Sequence, residues 1–118
     1  MSSLSRGDTV LVRCSIEAGA FSGERVFRLP TADGIEYSGT APRHYCLDAW
    51  CLPLVDGCPG SGELMEGYVE SNIVTVKDDY VIVRFPSGDS YPVRPESVRF
   101  KVVSVNTVRY EPIGEARP

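Results

Sequence analysis

The sequence predicts an all-β protein made of two small barrel-like units in tandem, and three observations support this fold class. Residues 84–98 read as a strand, a tight turn, a second strand and a Pro-started turn. Residues 28–46 are an imperfect copy, because both segments run Arg, a large apolar residue, Pro, a Gly/Asp turn, Tyr, and Pro beside a charged residue. β-Branched and aromatic residues are frequent, 11 glycines and 9 prolines supply turns, and no long Ala/Leu/Glu/Lys run occurs.

The chain length of 118 residues suffices for one ordinary domain or two minimal ones. A unit of about 50 residues buries too little surface to be comfortably stable alone. We therefore expect two units to pack on each other. The densest cluster of turn-forming residues, 56–63, places the boundary between a unit at 6–58 and a unit at 62–106, and residues 111–118 are expected to form a flexible tail.

The first unit has strand and turn signals in a clear order. Residues 8–16 alternate at period two, with one face formed by Val10, Val12, Cys14 and Ile16. Residues 25–30 are a second strand, which Pro30 either ends or places at a sheet edge, and Asp33-Gly34 is a turn before a short strand at 35–37. Pro42 starts a short helical turn through Cys46. Residues 45–58 fit a strand and a helical turn equally well.

The second unit has a similar succession of signals. Residues 80–85 are its strongest strand, residues 87–89 turn the chain, and Pro95-Glu96-Ser97 gives one tight turn. The remaining predicted strands are residues 64–71, 73–76, 90–94 and 98–105.

Charge and cysteine content restrict the classes of partner and compartment. The net charge of −4 argues against nonspecific coating of DNA or RNA, which requires an excess of Lys and Arg. No apolar stretch follows the basic residue near the N-terminus, so we expect neither a signal peptide nor a membrane span. The expected compartment is the cytoplasm, where the four cysteines would be thiols or metal ligands rather than disulfides.

Several motifs give a family resemblance. The apolar strand and Gly/Asp turn at 81–89 and the Pro-Glu-Ser-Val turn at 95–98 resemble the SH3-like barrel, the fold of Tudor, KOW and chromo-type modules. Residues 7–12 with 19–23 are similar to the opening of KOW-type modules, although the second Gly of that pattern is absent at Glu24-Arg25. The resemblance implies two SH3-like barrels and a mostly noncatalytic role in binding peptides, nucleic acid or other subunits.

One cluster of thiols and imidazole is a candidate zinc site, because Zn²⁺ takes four such ligands in a tetrahedron. Its members would be His44, Cys46, Cys51 and Cys58. A Cys-x-x-Cys pair is missing, and buried free cysteine is also an ordinary core residue. Plain thiols are the preferred interpretation, with a zinc-stabilised structural subunit as an alternative.

Catalytic motifs are absent from the sequence. His44 is the only histidine and lies two residues from Cys46, where nothing indicates a third group to orient it. Neither a Gly-x-Ser-x-Gly elbow nor a phosphate-binding Gly-x-x-x-x-Gly-Lys loop occurs. We therefore expect a protein without enzymatic activity and without a cofactor.

Two sets of side chains are candidate binding surfaces. Tyr37 and Tyr91 occupy similar places in the two copies and would form an exposed recognition surface, unless they pack in the core or the hairpins. A modest basic cluster comprises Arg84, Arg94, Arg99 and Lys101. These basic residues would meet phosphates or an acidic partner, unless they form a solvated, salt-bridged sheet face.

The functional expectation is a small noncatalytic interaction or adaptor module that binds a protein segment, either by strand addition or through the tyrosine surface. The alternative is nucleic-acid binding in the KOW or Tudor manner through the basic cluster. Fold analogy alone does not choose between them.

Overall fold

The computed structural model describes the backbone of residues 6–104 and 107–112 and the side chains of residues 6–100. Within these residues the protein is all-β, as the sequence predicts, and no α-helix occurs. Single 3-10 turns lie at Arg43–Tyr45 and Pro95–Ser97. The strands in chain order are β1 (Thr9–Ala18), β2 (Glu24–Pro30), β3 (Glu36–Pro42), β4 (Cys46–Asp48), β5 (Leu64–Val76), β6 (Val81–Arg84), β7 (Ser90–Val93), β8 (Val98–Ser104) and β9 (Thr107–Pro112).

Strands β1 and β5 form the centre of the sheet. They pair antiparallel without interruption from Thr9–Asn72 to Glu17–Leu64. The period-two alternation predicted for β1 is confirmed, because its four apolar residues at even positions 10–16 are all buried in the core. Leu11, on the opposite face, is also buried, so this part of β1 is covered on both sides.

The outer edges of these two central strands are each shared by two neighbours. β1 pairs with β8 over residues 10–12 and with β2 over residues 15–18. β5 pairs with β4 over residues 67–69 and with β6 over residues 72–76. The β2–β3 and β6–β7 hairpins extend the sheet to its ends, and the whole curves into a nearly closed barrel.

One hydrophobic cluster fills the barrel, and both hairpins contribute to it. The rings of Phe27 and Phe85 lie 5.3 Å apart between centroids, and Tyr37 stacks on Phe85 at 5.0 Å. Fully burying a side chain of this size stabilises a fold by about 1.5–3 kcal/mol. A hydrogen bond from the Ala32 amide to the Pro92 carbonyl, 2.9 Å long, also joins the two hairpins. Residues from both halves of the chain therefore share one core.

The local predictions for the two copies are confirmed. Each copy forms a β-hairpin followed by one 3-10 turn, at residues 24–45 and 81–97. β5 is one continuous strand where two were predicted, because it pairs with β1 from Leu64 to Asn72 and with β6 from Asn72 onward, so no break occurs at Asn72. The tandem arrangement and its boundaries at 6–58 and 62–106 stay predictions.

The C-terminal prediction is wrong at two positions. Glu111 and Pro112 belong to β9, which pairs with β8, although the sequence predicts a tail from residue 111. Residues 113–118 lie outside the described residues.

Gly67 allows β4 to approach β5 closely, and we expect Gly67→Ala to destabilise the fold. A Cβ atom at this position would collide with the backbone carbonyl oxygen of Leu47 and lie 2.8 Å from Ile16 Cδ1. Overpacking of this kind costs about 1–3 kcal/mol of folding free energy, because the Leu47 backbone cannot rotate away from the added methyl group as a side chain could. Urea denaturation of the two proteins measures the difference in unfolding free energy.

Gly23→Ala is the matched control, because nothing lies within 4 Å of a Cβ atom there. An unfolding midpoint for Gly67→Ala equal to that of Gly23→Ala would show that β4 does not need this close approach.

Candidate functional site: the β4–β5 loop

Residues 49–63, which we call the β4–β5 loop, connect a strand of three residues to the longest strand of the sheet. Connections of this length without secondary structure are uncommon in small domains, and they frequently carry function. Sequence patterns predict no clear secondary structure for most of it. Its conformation is nevertheless held by hydrogen bonds at its start, its middle and its end.

The start of the loop is a tight turn organised by Asp48. The carboxylate oxygen Oδ1 accepts hydrogen bonds from the backbone amides of Trp50 at 2.8 Å and Leu52 at 3.0 Å. The Asp48 amide donates to the Leu52 carbonyl, and the Cys51 amide donates to the Asp48 carbonyl. An Asp side chain that bonds the backbone two residues on is a strong turn former.

Two arginines hold the middle of the loop. Arg43 Nη1 donates to the Leu54 carbonyl at 2.9 Å, and Arg25 Nε donates to the Cys58 carbonyl at 3.1 Å. At the first of these two attachment points, the Leu54 side chain is buried in the hydrophobic core. The loop is therefore fixed to the barrel by one apolar anchor and two guanidinium groups.

The end of the loop is closed by Glu63. Its Oε1 atom accepts from the Gly60 amide at 2.9 Å, and its own amide donates to the Gly60 carbonyl at 3.0 Å. These paired bonds make the last turn before β5 a defined structure.

The anchored loop presents three large apolar side chains to solvent. Trp50 is 80% exposed, Val55 is 66% exposed and Leu52 is 59% exposed. Single exposed apolar residues are common, but three in one ordered loop are typical of an interaction site. Tryptophan in particular dominates the energy of protein–protein contacts. We call these three side chains the Trp50 surface.

The two tyrosines of the predicted recognition surface, Tyr37 and Tyr91, are not both exposed. Tyr37 is 6% exposed, and its hydroxyl lies 2.6 Å from Ser87 Oγ and donates to Asp89 Oδ2 at 3.0 Å. Tyr91 stacks on Tyr37 at 4.2 Å between centroids and stays 37% exposed. Burial raises the pKa of Tyr37 above its ordinary value. Tyr37 thus joins the two hairpins, which is the packing alternative left open by the sequence, and a binding role for Tyr37 and Tyr91 stays a prediction.

The register also shows that these tyrosines are not equivalent. Arg28 pairs with Ser38 in the first hairpin, and Arg84 pairs with Ser90 in the second. When Arg28 is aligned with Arg84, Ser38 aligns with Ser90, and the residue before each serine is then Tyr37 in the first hairpin and Asp89 in the second. The longer β2–β3 turn hides this difference in the sequence.

The predicted basic cluster is spread over the sheet. Arg84 lies on β6 and Arg99 on β8, so β5 and β1 separate them by three strand spacings, about 14 Å. Arg94 is exposed at the start of the second 3-10 turn. The guanidinium of Arg99 lies over the Tyr68 ring, 5.2 Å from its centroid. Lys101 lies in β8, and its side chain is outside the described residues.

Acidic residues interrupt the outer sheet face between these arginines. Arg13 Nε pairs with Glu66 at 3.0 Å, and Arg28 Nη1 pairs with Glu17 at 3.0 Å. Glu70 pairs with Leu11, which also pairs with Arg99, so Glu70 lies in the cross-strand row of Arg99, on the strand next to that of Arg84. This mixture of charges is typical of a solvated sheet face and does not form a continuous basic groove.

The four candidate zinc ligands are not gathered into a site. Within residues 6–100, no group of three or more His, Cys, Asp and Glu side chains is arranged to hold a metal ion. His44 is exposed against Tyr45, whereas Cys46 is fully buried and directs its thiol at the Pro42 carbonyl. Cys51 and Cys58 are half-buried in the β4–β5 loop. The zinc hypothesis stays a prediction without support from this geometry.

The thiol nearest to His44 has weak nucleophilic character. Burial raises the pKa of Cys46 to about 11, and the positive charge of Arg25 offsets only part of that effect. Burial raises the pKa of Cys14 further still. Thiols in such surroundings stay protonated and unreactive near neutral pH.

Sequence reasoning missed the Trp50 surface and the buried arginine that holds its loop. Trp50 stands two residues after Asp48, a spacing that permits an Asp turn and could have indicated the loop start. No sequence signal separates Arg25, which is 2% exposed, from the exposed Arg28 three residues later. Their difference arises only from which face of β2 the curved sheet encloses.

Thiol reactivity tests this description of the cysteines. In the native protein at mildly alkaline pH, dithionitrobenzoate is expected to react with Cys51 and Cys58, and with Cys14 and Cys46 only after unfolding in urea. The raised pKa of Cys46 makes a stabilising contribution to the free energy of unfolding, and this contribution is complete at pH values below the pKa of the unfolded thiol. This contribution is lost as the pH rises toward about 11. Equal reaction rates for all four thiols in the native protein would contradict the burial of Cys14 and Cys46.

Comparisons with other proteins give no identity for the chain. No family model, curated protein or solved structure matches it. None of the helices in the described part of the chain has the length and apolar character needed to cross a membrane.

Proposed function

We propose that this protein is a noncatalytic interaction module that binds an apolar segment of another protein through the Trp50 surface. The observation that carries the proposal is the exposure of Trp50 on a loop that is already ordered by hydrogen bonds and a core anchor. Binding to a preordered loop costs less conformational entropy, so more of the contact energy becomes affinity. Because the Trp50 indole is so exposed in the free protein, its burial on docking contributes a large apolar contact area.

The proposed fold assignment is a pair of SH3-like barrels that share β1 and β5. Val12 of β1 pairs with Val69 of β5 at the centre of the sheet. The strands that pair with β5 on one side of this residue pair correspond to those that pair with β1 on the other side. Val12 also pairs with Val98 after the second 3-10 turn, as Val69 pairs with Cys46 after the first. Each unit would then contain one hairpin, one 3-10 turn, one short strand and half of each central strand. A fold of this kind is compatible with many binding functions, so the Trp50 surface carries the functional argument.

Strand addition, the other binding mode expected from the sequence, has less support. The terminal strands of the main sheet path are β3 and β7. Pro42 ends β3, and Pro92 lies within the four residues of β7. Proline has no amide hydrogen to donate and weakens a strand edge as a template.

The test is selection of binding peptides from a random library on the whole protein, followed by affinity measurement through Trp50 fluorescence. Trp50 is the single tryptophan, so its emission reports on this surface alone. Contact with an apolar segment is expected to shift the emission to shorter wavelength. Trp50→Ala, measured with labelled peptide, is expected to weaken binding by about 30-fold, the effect of a hot-spot residue worth about 2 kcal/mol.

Ile35→Ala is the matched control, because Ile35 is 66% exposed in the β2–β3 turn and its loss should change affinity less than about twofold. Peptides that bind Trp50→Ala as tightly as the wild type would refute the proposal. Failure of selection, together with RNA or DNA binding that weakens steeply with salt, would instead favour the nucleic-acid alternative.

The contribution of loop order can be measured separately at Asp48. Asp48→Ala removes the acceptor of the two amide bonds and is expected to weaken peptide binding about fivefold, since a net hydrogen bond is worth about 1 kcal/mol. Asp48→Asn retains an oxygen acceptor and is expected to stay near wild-type affinity. Equal loss in both variants would show that the carboxylate charge, rather than the turn, determines binding.

A further inference from the structure

A pocket lies between the β1–β2 connection, residues 19–23, and the β4–β5 loop. Small residues form most of its wall, and Phe21, 73% exposed, stands at its margin. Arg25 belongs to the wall as well, although its side chain is 2% exposed. The complete set of lining residues is Ala18, Gly19, Ala20, Phe21, Ser22, Arg25, Asp56, Gly57, Pro59, Gly60 and Ser61.

The hydrogen bonds of Arg25 leave one of its nitrogens without a partner in the described residues. Nη1 donates to the Ser22 and Glu24 carbonyls, both at 2.8 Å, and Nε donates to the Cys58 carbonyl at 3.1 Å. Nη2 makes no hydrogen bond within residues 6–100, and it is not among the fully buried polar atoms that lack a partner. The pocket that Arg25 lines is therefore the route by which an added acceptor would reach Nη2.

The charge of Arg25 is not neutralised by a carboxylate in the described part of the chain. Two carboxylates in the loops around the pocket bond backbone amides, because Glu24 Oε1 accepts from the Ala20 amide and Glu63 Oε1 accepts from the Gly60 amide. Carbonyl dipoles satisfy the hydrogen-bonding needs of a guanidinium but carry no formal negative charge. A buried cation in this situation gains strongly from an anion that reaches it.

We propose that this pocket binds a carboxylate group through Nη2 of Arg25. This site is separate from the Trp50 surface and does not depend on its function. The ligand is a small carboxylic acid or a carboxylate presented by a larger molecule. Ser22 and Ser61 line the same pocket, and their hydroxyl groups are further potential donors.

The negative charge of Asp56 is the reason why we expect this pocket to bind a carboxylate more tightly than phosphate. It is exposed and lines the pocket, so it repels any anion that enters. A singly charged carboxylate suffers less repulsion than a phosphate that carries nearly two charges.

The experiment is a titration of the whole protein with sodium acetate in one arm and inorganic phosphate in the other, at low chloride. Proton–nitrogen NMR follows the Arg25 Nε–H signal and the amides of Gly57, Gly60 and Ser61. Acetate is expected to shift these signals saturably in the millimolar range, with phosphate weaker. The Nε–H signal of Arg43, which does not line the pocket, is the internal reference and is expected to stay in place.

Two variants keep the test decisive. Asp56→Asn leaves Arg25 and its carbonyl bonds in place and is expected to tighten acetate binding about two- to threefold by removing one nearby negative charge. Arg25→Gln is expected to abolish the saturable shift, with the amide signals of β1 and β5 as the check that the barrel stays folded.

Three results would overturn the proposal. The first is the absence of a saturable shift with acetate, and the second is tighter binding of phosphate than of acetate. The third is an acetate shift that survives in a folded Arg25→Gln protein. None of these measurements involves a protein partner, so failure here is distinguishable from failure of the Trp50 surface to bind a peptide.

Discussion

The antiparallel pairing of β1 with β5 is the constraint on which the rest of the structure depends. Each of these strands forms a continuous ladder with the other and gives its second edge to two further strands. Loss of register in this pair would displace β2, β4, β6 and β8 together, because a slip of one residue exchanges the buried and exposed faces. The fully buried Val12 and Val69, directly paired, hold that register in the core.

Patterns within a single strand or turn were predictable from sequence, since their cause is local. The alternation of β1 and the Asp33-Gly34 turn follow from side-chain period and backbone preference. Gly34 has a φ of 87°, which glycine adopts without steric cost. The 3-10 turns begin beside Pro42 and at Pro95, where proline fixes φ.

Features that depend on how the sheet curves were not predictable. Tyr37 and Tyr91 look equivalent along the chain, yet one is buried in the hairpin interface and the other remains partly exposed. Arg25 and Arg28 lie on opposite faces of β2, but only the folded barrel shows which face is enclosed. The Trp50 surface likewise depends on contacts from Arg43 and Leu54 that connect separate elements, so local patterns carry little information about it.

The guanidinium of Arg25 joins two loops through one rigid planar group. Its bonds reach the Ser22 carbonyl on one side and the Cys58 carbonyl on the other, so a rotation of this plane moves donors for both loops at once. Occupancy of the neighbouring pocket would therefore change the freedom of the segment that carries Val55 and, through it, the affinity at Trp50. Any such coupling is reciprocal by thermodynamic necessity: whatever docks on the indole must alter anion affinity by the same factor. If both proposed surfaces bind their ligands, this one side chain would link their affinities.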